Sequence, residues 1–126
     1  MNEQHAIQLP PEWVFPTPEQ TEYLLRELGT EAPVEHVLYQ QPVEVFAVRT
    51  TCDDVAYRLI ESPERIVVVH LTWVGHTECE GHPTVEFDGS IPEFCGFCER
   101  QYAEFVEHQK LVAEIMERRR EGQQRL

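Results

Sequence analysis

Nine residues in the middle of the chain, Ile66-Val67-Val68-Val69-His70-Leu71-Thr72-Trp73-Val74, form a continuous, largely apolar run rich in β-branched side chains. A run of that kind suits a strand covered on both faces, and it is far shorter than the roughly 20 residues a bilayer-crossing helix needs. It therefore predicts the central strand of a sheet with something packed on each side. The neighbouring segments fit that sheet. Val43, Val45 and Ala47 recur with period two, and Val55, Tyr57 and Leu59 do so after the Thr50-Thr51-Cys52-Asp53-Asp54 break, which predicts neighbouring antiparallel strands. The tight Ser62-Pro63-Glu64-Arg65 connection leads into the apolar run. Thr84 to Phe87 supplies a shorter fourth strand whose inward pair is Val85 and Phe87.

Two helices frame the strands. Thr17-Pro18-Glu19-Gln20 combines an N-cap threonine, a proline at the first helical position and a glutamine three residues after the cap; Leu24, Leu25 and Leu28 follow, with Gly29 as a stop. Asp88-Gly89 turns the chain, and Ser90-Ile91-Pro92-Glu93 is a second capping box. From there Tyr102, Phe105, Val106, Val112, Ala113 and Met116 mark a long helical stripe, ending at Arg118-Arg119-Arg120, where the helix dipole favours cations. Gly96 is a point where this helix would bend. Residues 1–16, with Pro10, Pro11 and Pro16 around Trp13 and Phe15, read as an extended arm; Thr30 to Pro42 reads as irregular with a short strand at Val37 to Tyr39, and residues 121–126 as a frayed tail. The expectation is one α+β domain over residues 1–126: an antiparallel sheet of three to five strands with a short N-terminal helix and a long C-terminal helix packed on it. A length of 126 residues suits one core and is too short for two comfortable ones.

The formal net charge of -13 with only ten Lys and Arg disfavours binding to nucleic-acid phosphates, which runs on basic contacts. The opening MNEQHAIQLPPEW has no basic n-region followed by an apolar stretch, which predicts a cytoplasmic protein with no membrane partner. In a reducing cytosol the four cysteines are expected as thiols, metal ligands or redox groups. Cys79-x2-His82, then twelve residues, then Cys95-x2-Cys98 has the two-pair layout of a tetrahedral zinc site, with His76 as an alternative ligand. No lysine or arginine lies between Arg65 and Arg100, whereas Glu78, Glu80, Glu86, Asp88, Glu93 and Glu99 do, and an anionic region favours a divalent cation over free thiolates. Scattered small residues and surface histidines account for the same pattern without a metal.

Other chemistry is weaker in the sequence. Cys95-Gly96-Phe97-Cys98 at a helix start has the form of a thiol redox pair, but no βαβ pattern precedes it and its acidic surroundings oppose a thiolate. A zinc hydrolase would need an open metal position and a nearby carboxylate from Glu78, Glu80 or Glu93. His70, inside the apolar run, is expected as a core residue with no partner placed by the sequence; Asp53-Asp54 is expected as a turn, and Trp73 as core packing rather than the wall of a pocket. His5, His36 and His108 stand isolated.

The segment VFAVRTTCDDVAYRL, followed by RIVVVHLTWVG and a later proline-containing strand leading into a helix, resembles a small family of bacterial proteins of about this length that share a DDV segment and a VVHLTW strand. Some carry the label ADP-ribosylation/crystallin J1. The resemblance spans roughly residues 40 to 95 and implies an antiparallel-sheet core. It implies no such activity, because ADP-ribosylglycohydrolases resemble a much longer all-helical fold with paired metal carboxylates. The cysteine cluster lies outside the shared pattern. Together these features predict a non-catalytic acidic binding module, stabilised by structural zinc, that meets a basic protein partner in the manner of an immunity or inhibitor protein, as a monomer or, through the wide stripe of its long helix, a homodimer.

Overall fold

The computed structural model describes residues 8–79 and 82–124, with side chains described through Gly122. Five strands form one antiparallel sheet in chain order: β1 (Trp13–Val14), β2 (Val43–Arg49), β3 (Asp54–Leu59), β4 (Arg65–His70) and β5 (Thr84–Ser90). Helix α1 (Pro18–Glu31) lies between β1 and β2, and α2 (Ile91–Gln124) follows β5. The α+β class, the short first helix and the long last helix are thus as the patterning predicts. No described helix is long and apolar enough to cross a membrane.

The two helices do not share a face of the sheet. Leu24 and Leu28 of α1 pack on Val45, Val55, Tyr57, Val67 and Val69, while Phe94 and Cys98 of α2 pack on Phe46, Ala56, Ile66 and Val68. Alternation along β3 and β4 sends successive side chains to opposite faces, so the apolar run is buried on both sides. That is why it reads as continuous. The central strand by position is β3, however, with β4 between β3 and β5. A register shift between Val45 and Ala47 turns both Phe46 and Ala47 toward the α2 side.

Both capping boxes are present. Thr17 Oγ1 accepts from the Gln20 N–H at 3.1 Å and Gln20 Oε1 from the Thr17 N–H at 2.9 Å; Ser90 and Glu93 make the same reciprocal pair at 3.3 and 3.1 Å. Other boundaries differ from the sequence reading. Gly29 does not stop α1, which runs to Glu31 and ends before Pro33; helix is a conformation glycine tolerates at a cost of about 1 kcal/mol, whereas proline disfavours it in the residue before. Val37 to Tyr39 is a turn, not a strand. The strand in the apolar run ends at His70, because Trp73 sits at φ +59 and Gly75 at φ +76. The β5 strand runs through Asp88-Gly89 to Ser90, and α2 passes Gly96 unbroken and continues past Glu121 to Gln124. Of the predicted arm, residues 1–7 lie outside the described residues, and Trp13–Val14 is a short edge strand.

Candidate functional site

The predicted metal ligands fall in two separate places. Cys79 is exposed within the connection from β4 to β5, which is tied to α1 where the Glu78 N–H donates to the Glu31 carbonyl at 2.9 Å. The His82 N–H donates to the Cys79 carbonyl at 3.0 Å, so this pair does close a turn as its spacing suggests. Cys95 and Cys98 lie one helical turn apart on α2 against the opposite face, and Cys98 is buried among Phe94, Phe46 and Trp13. His76 is exposed, with Nδ1 3.0 Å from the Thr77 carbonyl; Glu93 is occupied as the α2 cap, and Glu80 lies outside the described residues. Among the described residues no group of three or more His, Cys, Asp or Glu side chains is placed to hold a metal ion. In this arrangement the Cys79/His82 and Cys95/Cys98 pairs are not gathered into one group of donors. Burial pushes the Cys95 thiol up, with the Glu99 charge adding to it, and burial next to Cys95 pushes Cys98 up to about 12. Both thiols stay protonated near neutrality, so Cys95-x-x-Cys98 offers no thiolate there.

A charged network missed by the sequence reading lies at the end of the sheet where β3 and β5 begin and β4 ends, opposite the end at which β5 passes into α2. Asp54, only 5% exposed, places Oδ1 2.7 Å from His70 Nδ1 and Oδ2 3.4 Å from Arg49 Nη1, and Arg49 Nε donates to Glu12 Oε2 at 2.9 Å. His70 is accordingly half-exposed at a strand end with a carboxylate partner, not a lone core histidine. The pairing was recoverable in principle. Folding β3 and β4 about the Ser62 turn pairs residues whose numbers sum to 124, hence Asp54 with His70.

Beside this network a cleft of about 340 Å³ opens between α1 and the loops at the same sheet end; Gln20, Tyr23, Arg49, Thr50, Cys52, Asp53, Asp54 and Trp73 are among the residues that line it. A larger groove of about 530 Å³ beside the 38–43 segment has no charged side chain in its lining. Trp73 is 43% exposed and meets Tyr23 with ring centroids 5.9 Å apart, so its expected place in the core is corrected: it forms a wall of the cleft. A bulky side chain at positive φ is strained by about 1 kcal/mol or more, and the buried Glu31 holds it there. Glu31 accepts from the Thr72 N–H at 2.9 Å, the Thr72 hydroxyl at 2.8 Å and the Trp73 N–H at 3.0 Å. Burial works against the Glu31 charge, but these bonds and one from Glu27 outweigh it and hold its carboxyl below the ordinary range. Glu27, hydrogen-bonded to Glu31, partly buried and beside that charge, is raised and keeps its proton to higher pH.

The electrostatics of the cleft follow. Arg49 is matched by Glu12 and Asp54, whereas Asp53 is exposed: its main-chain carbonyl accepts from the Leu71 N–H at 3.1 Å, but its carboxylate makes no hydrogen bond or ion pair among the described residues. The cleft thus offers two aromatic rings and an unmatched carboxylate, a combination suited to a cation. No family model, curated protein or solved structure matches the chain.

Proposed function

We propose that the protein is a non-catalytic acidic binding module that takes an arginine or lysine side chain of a basic protein partner into the cleft between Tyr23, Trp73 and Asp53. The observation that carries this reading is the strained, Glu31-clamped Trp73 presented beside an unmatched Asp53. The charge distribution supports it: residues 1–98 contain seventeen Asp and Glu against four arginines, so the whole net charge of -13 sits on the body, while residues 99–126 hold six of each sign. An anionic body speeds encounter with a basic partner, and a cation over a partly desolvated indole gains about 0.5–2 kcal/mol. An immunity or inhibitor protein that occludes a basic active site is the setting such a domain suits. The reading includes no zinc, since the four proposed ligands are not gathered.

The test is a titration of the protein with a short arginine-containing peptide and with its citrulline counterpart, which has the same shape and no charge. Arginine peptide binding should perturb the fluorescence of the exposed Trp73 while buried Trp13 stays silent. Trp73→Ala and Asp53→Asn should each weaken binding about 3- to 30-fold, the range set by the cation–aromatic energy. Equal binding of the citrulline peptide would refute the proposal.

A further inference from the structure

The stripe of α2 does not end where its contact with the sheet ends. Between Ile91 and Gln101 one side of the helix is buried or half-buried, at Ile91, Phe94 to Cys98 and Gln101, but from Tyr102 to Gly122 only Val106 is less than exposed. At 100° per residue, Tyr102, Phe105, Val106, Val112, Ala113 and Met116 continue the face that Phe94 and Cys98 bury, within an arc of about 120°. Phe105 is 38% and Met116 61% exposed. The free arm is about 31 Å long, and a helix owes most of its stability to packing of its apolar face. An arm without such packing calls for a partner.

We infer that the arm pairs antiparallel with the same arm of a second copy of this chain, with Gln109 at the centre of the crossing. Three observations select that occupant and orientation. The first is internal symmetry: Gln109 is the midpoint of the stripe, so antiparallel pairing sets Tyr102 against the partner's Met116, Phe105 against its Ala113 and Val106 against its Val112, with the Phe105 ring facing the smallest side chain of the stripe. A single polar residue inside an apolar seam fixes register, here through a Gln109 to Gln109 contact. The second is charge. The arm and tail carry equal numbers of each sign, unlike the body, and antiparallel pairing brings Arg118, Arg119 and Arg120 beside the partner's Glu99 and its acidic body, where Asp53 and Glu12 lie. Parallel pairing would instead stack two arginine clusters and place two bodies of charge -13 side by side. The third is size: a standard interface buries roughly 800 Å² per partner, and the antiparallel form adds contact between each tip and the other body to the contact between the stripes.

Sedimentation of the full chain across a concentration series, compared with variants, tests this. The wild type should form a dimer that weakens with added salt. Phe105→Glu with Val112→Glu should give a monomer that still unfolds cooperatively and keeps the emission of buried Trp13, because neither side chain belongs to the sheet core. Reversing Arg118, Arg119 and Arg120 to Glu should weaken the dimer about tenfold or more. Orientation is read by mixing a Tyr102→Cys chain with a Met116→Cys chain, both also carrying Cys52→Ser and Cys79→Ser. Mixed disulfides should dominate. A wild type monomeric at every concentration, a dimer indifferent to the Phe105 and Val112 changes, or a predominance of like-with-like disulfides would overturn the inference.

Discussion

Replacing Glu31 with Ala tests whether one buried carboxylate holds the binding cleft in shape. Glu31 is fully buried and accepts three hydrogen bonds from Thr72 and Trp73. Bonds to a charged acceptor are worth about 1.5–3 kcal/mol each. Against that, removing the carboxylate recovers the several kcal/mol spent on desolvating it, the Trp73 N–H at the exposed end regains water, and about 1 kcal/mol of backbone strain at Trp73 is released. The balance is a loss of about 3 kcal/mol. With an unfolding entropy of about 2.1 cal/mol/K per residue, that lowers Tm by on the order of 10 °C. Urea denaturation gives the free energy, and Trp73 emission below the transition reports the loop directly: the variant should show a red-shifted spectrum in the folded state and a matching loss of arginine-peptide affinity. Glu31→Gln keeps the volume but turns an amide NH2 toward backbone donors, so it should fall between wild type and Glu31→Ala. A Glu31→Ala protein within about 1 kcal/mol of wild type and with unshifted Trp73 emission would refute the clamp.

Two further outcomes follow from the core and from the loops. Phe94→Ala removes a ring that is fully buried and lies 5.1 Å from Trp13 and 5.9 Å from Phe46, centroid to centroid; a loss of about 3–5 kcal/mol is expected from chemical denaturation, and a value under about 1 kcal/mol would mean that α2 is not held as described. His36 Nδ1 accepts from the Leu38 N–H at 3.0 Å while Nε2 lies 2.9 Å from the Pro83 carbonyl, which fixes the neutral ring with its proton on Nε2. Burial lowers its pKa more than the Pro83 bond raises it. The folded protein thus binds this proton less readily than the unfolded chain, so the His36 contribution is complete above about pH 6.5 and is lost as pH falls toward the folded value. His36→Gln should flatten the decline in urea midpoint between about pH 7 and 5; an unchanged slope would show that another group is responsible.

The fold was legible where the patterns were local. The two capping boxes lie within four residues each and appear as spelled, and the alternation in β2 and β3 needs only the pleat. What failed depended mostly on distant partners. Gly29 reads as the stop, although Pro33 four residues on is the firmer block to helix, so α1 reaches Glu31; that Glu31 is buried against Thr72 some forty residues on is what no local pattern announces. The apolar run reads as one strand through Val74, yet that same carboxylate bends its last residues into a loop and brings Trp73 outward. The Cys79/His82 and Cys95/Cys98 spacings describe local pairs well. Whether two pairs meet depends on which face of the sheet each joins, and spacing does not encode that. The Asp54–His70 pair is a product of strand register, legible only once the turn at Ser62 is fixed.

Helix α2 is gripped over about a third of its length and free over the rest. Mechanically it is a lever whose fulcrum is the Phe94–Cys98 turn. With about 36 Å between Cys98 and Gly122, a tilt of about 5° at the fulcrum sweeps the tip by roughly 3 Å, the length of a hydrogen bond. Where Arg118 to Arg120 land is consequently set by aromatic rings more than twenty residues away, and a small change in how Phe94 seats against Trp13, Phe46 and Phe87 re-aims the far end of the molecule while leaving the sheet untouched.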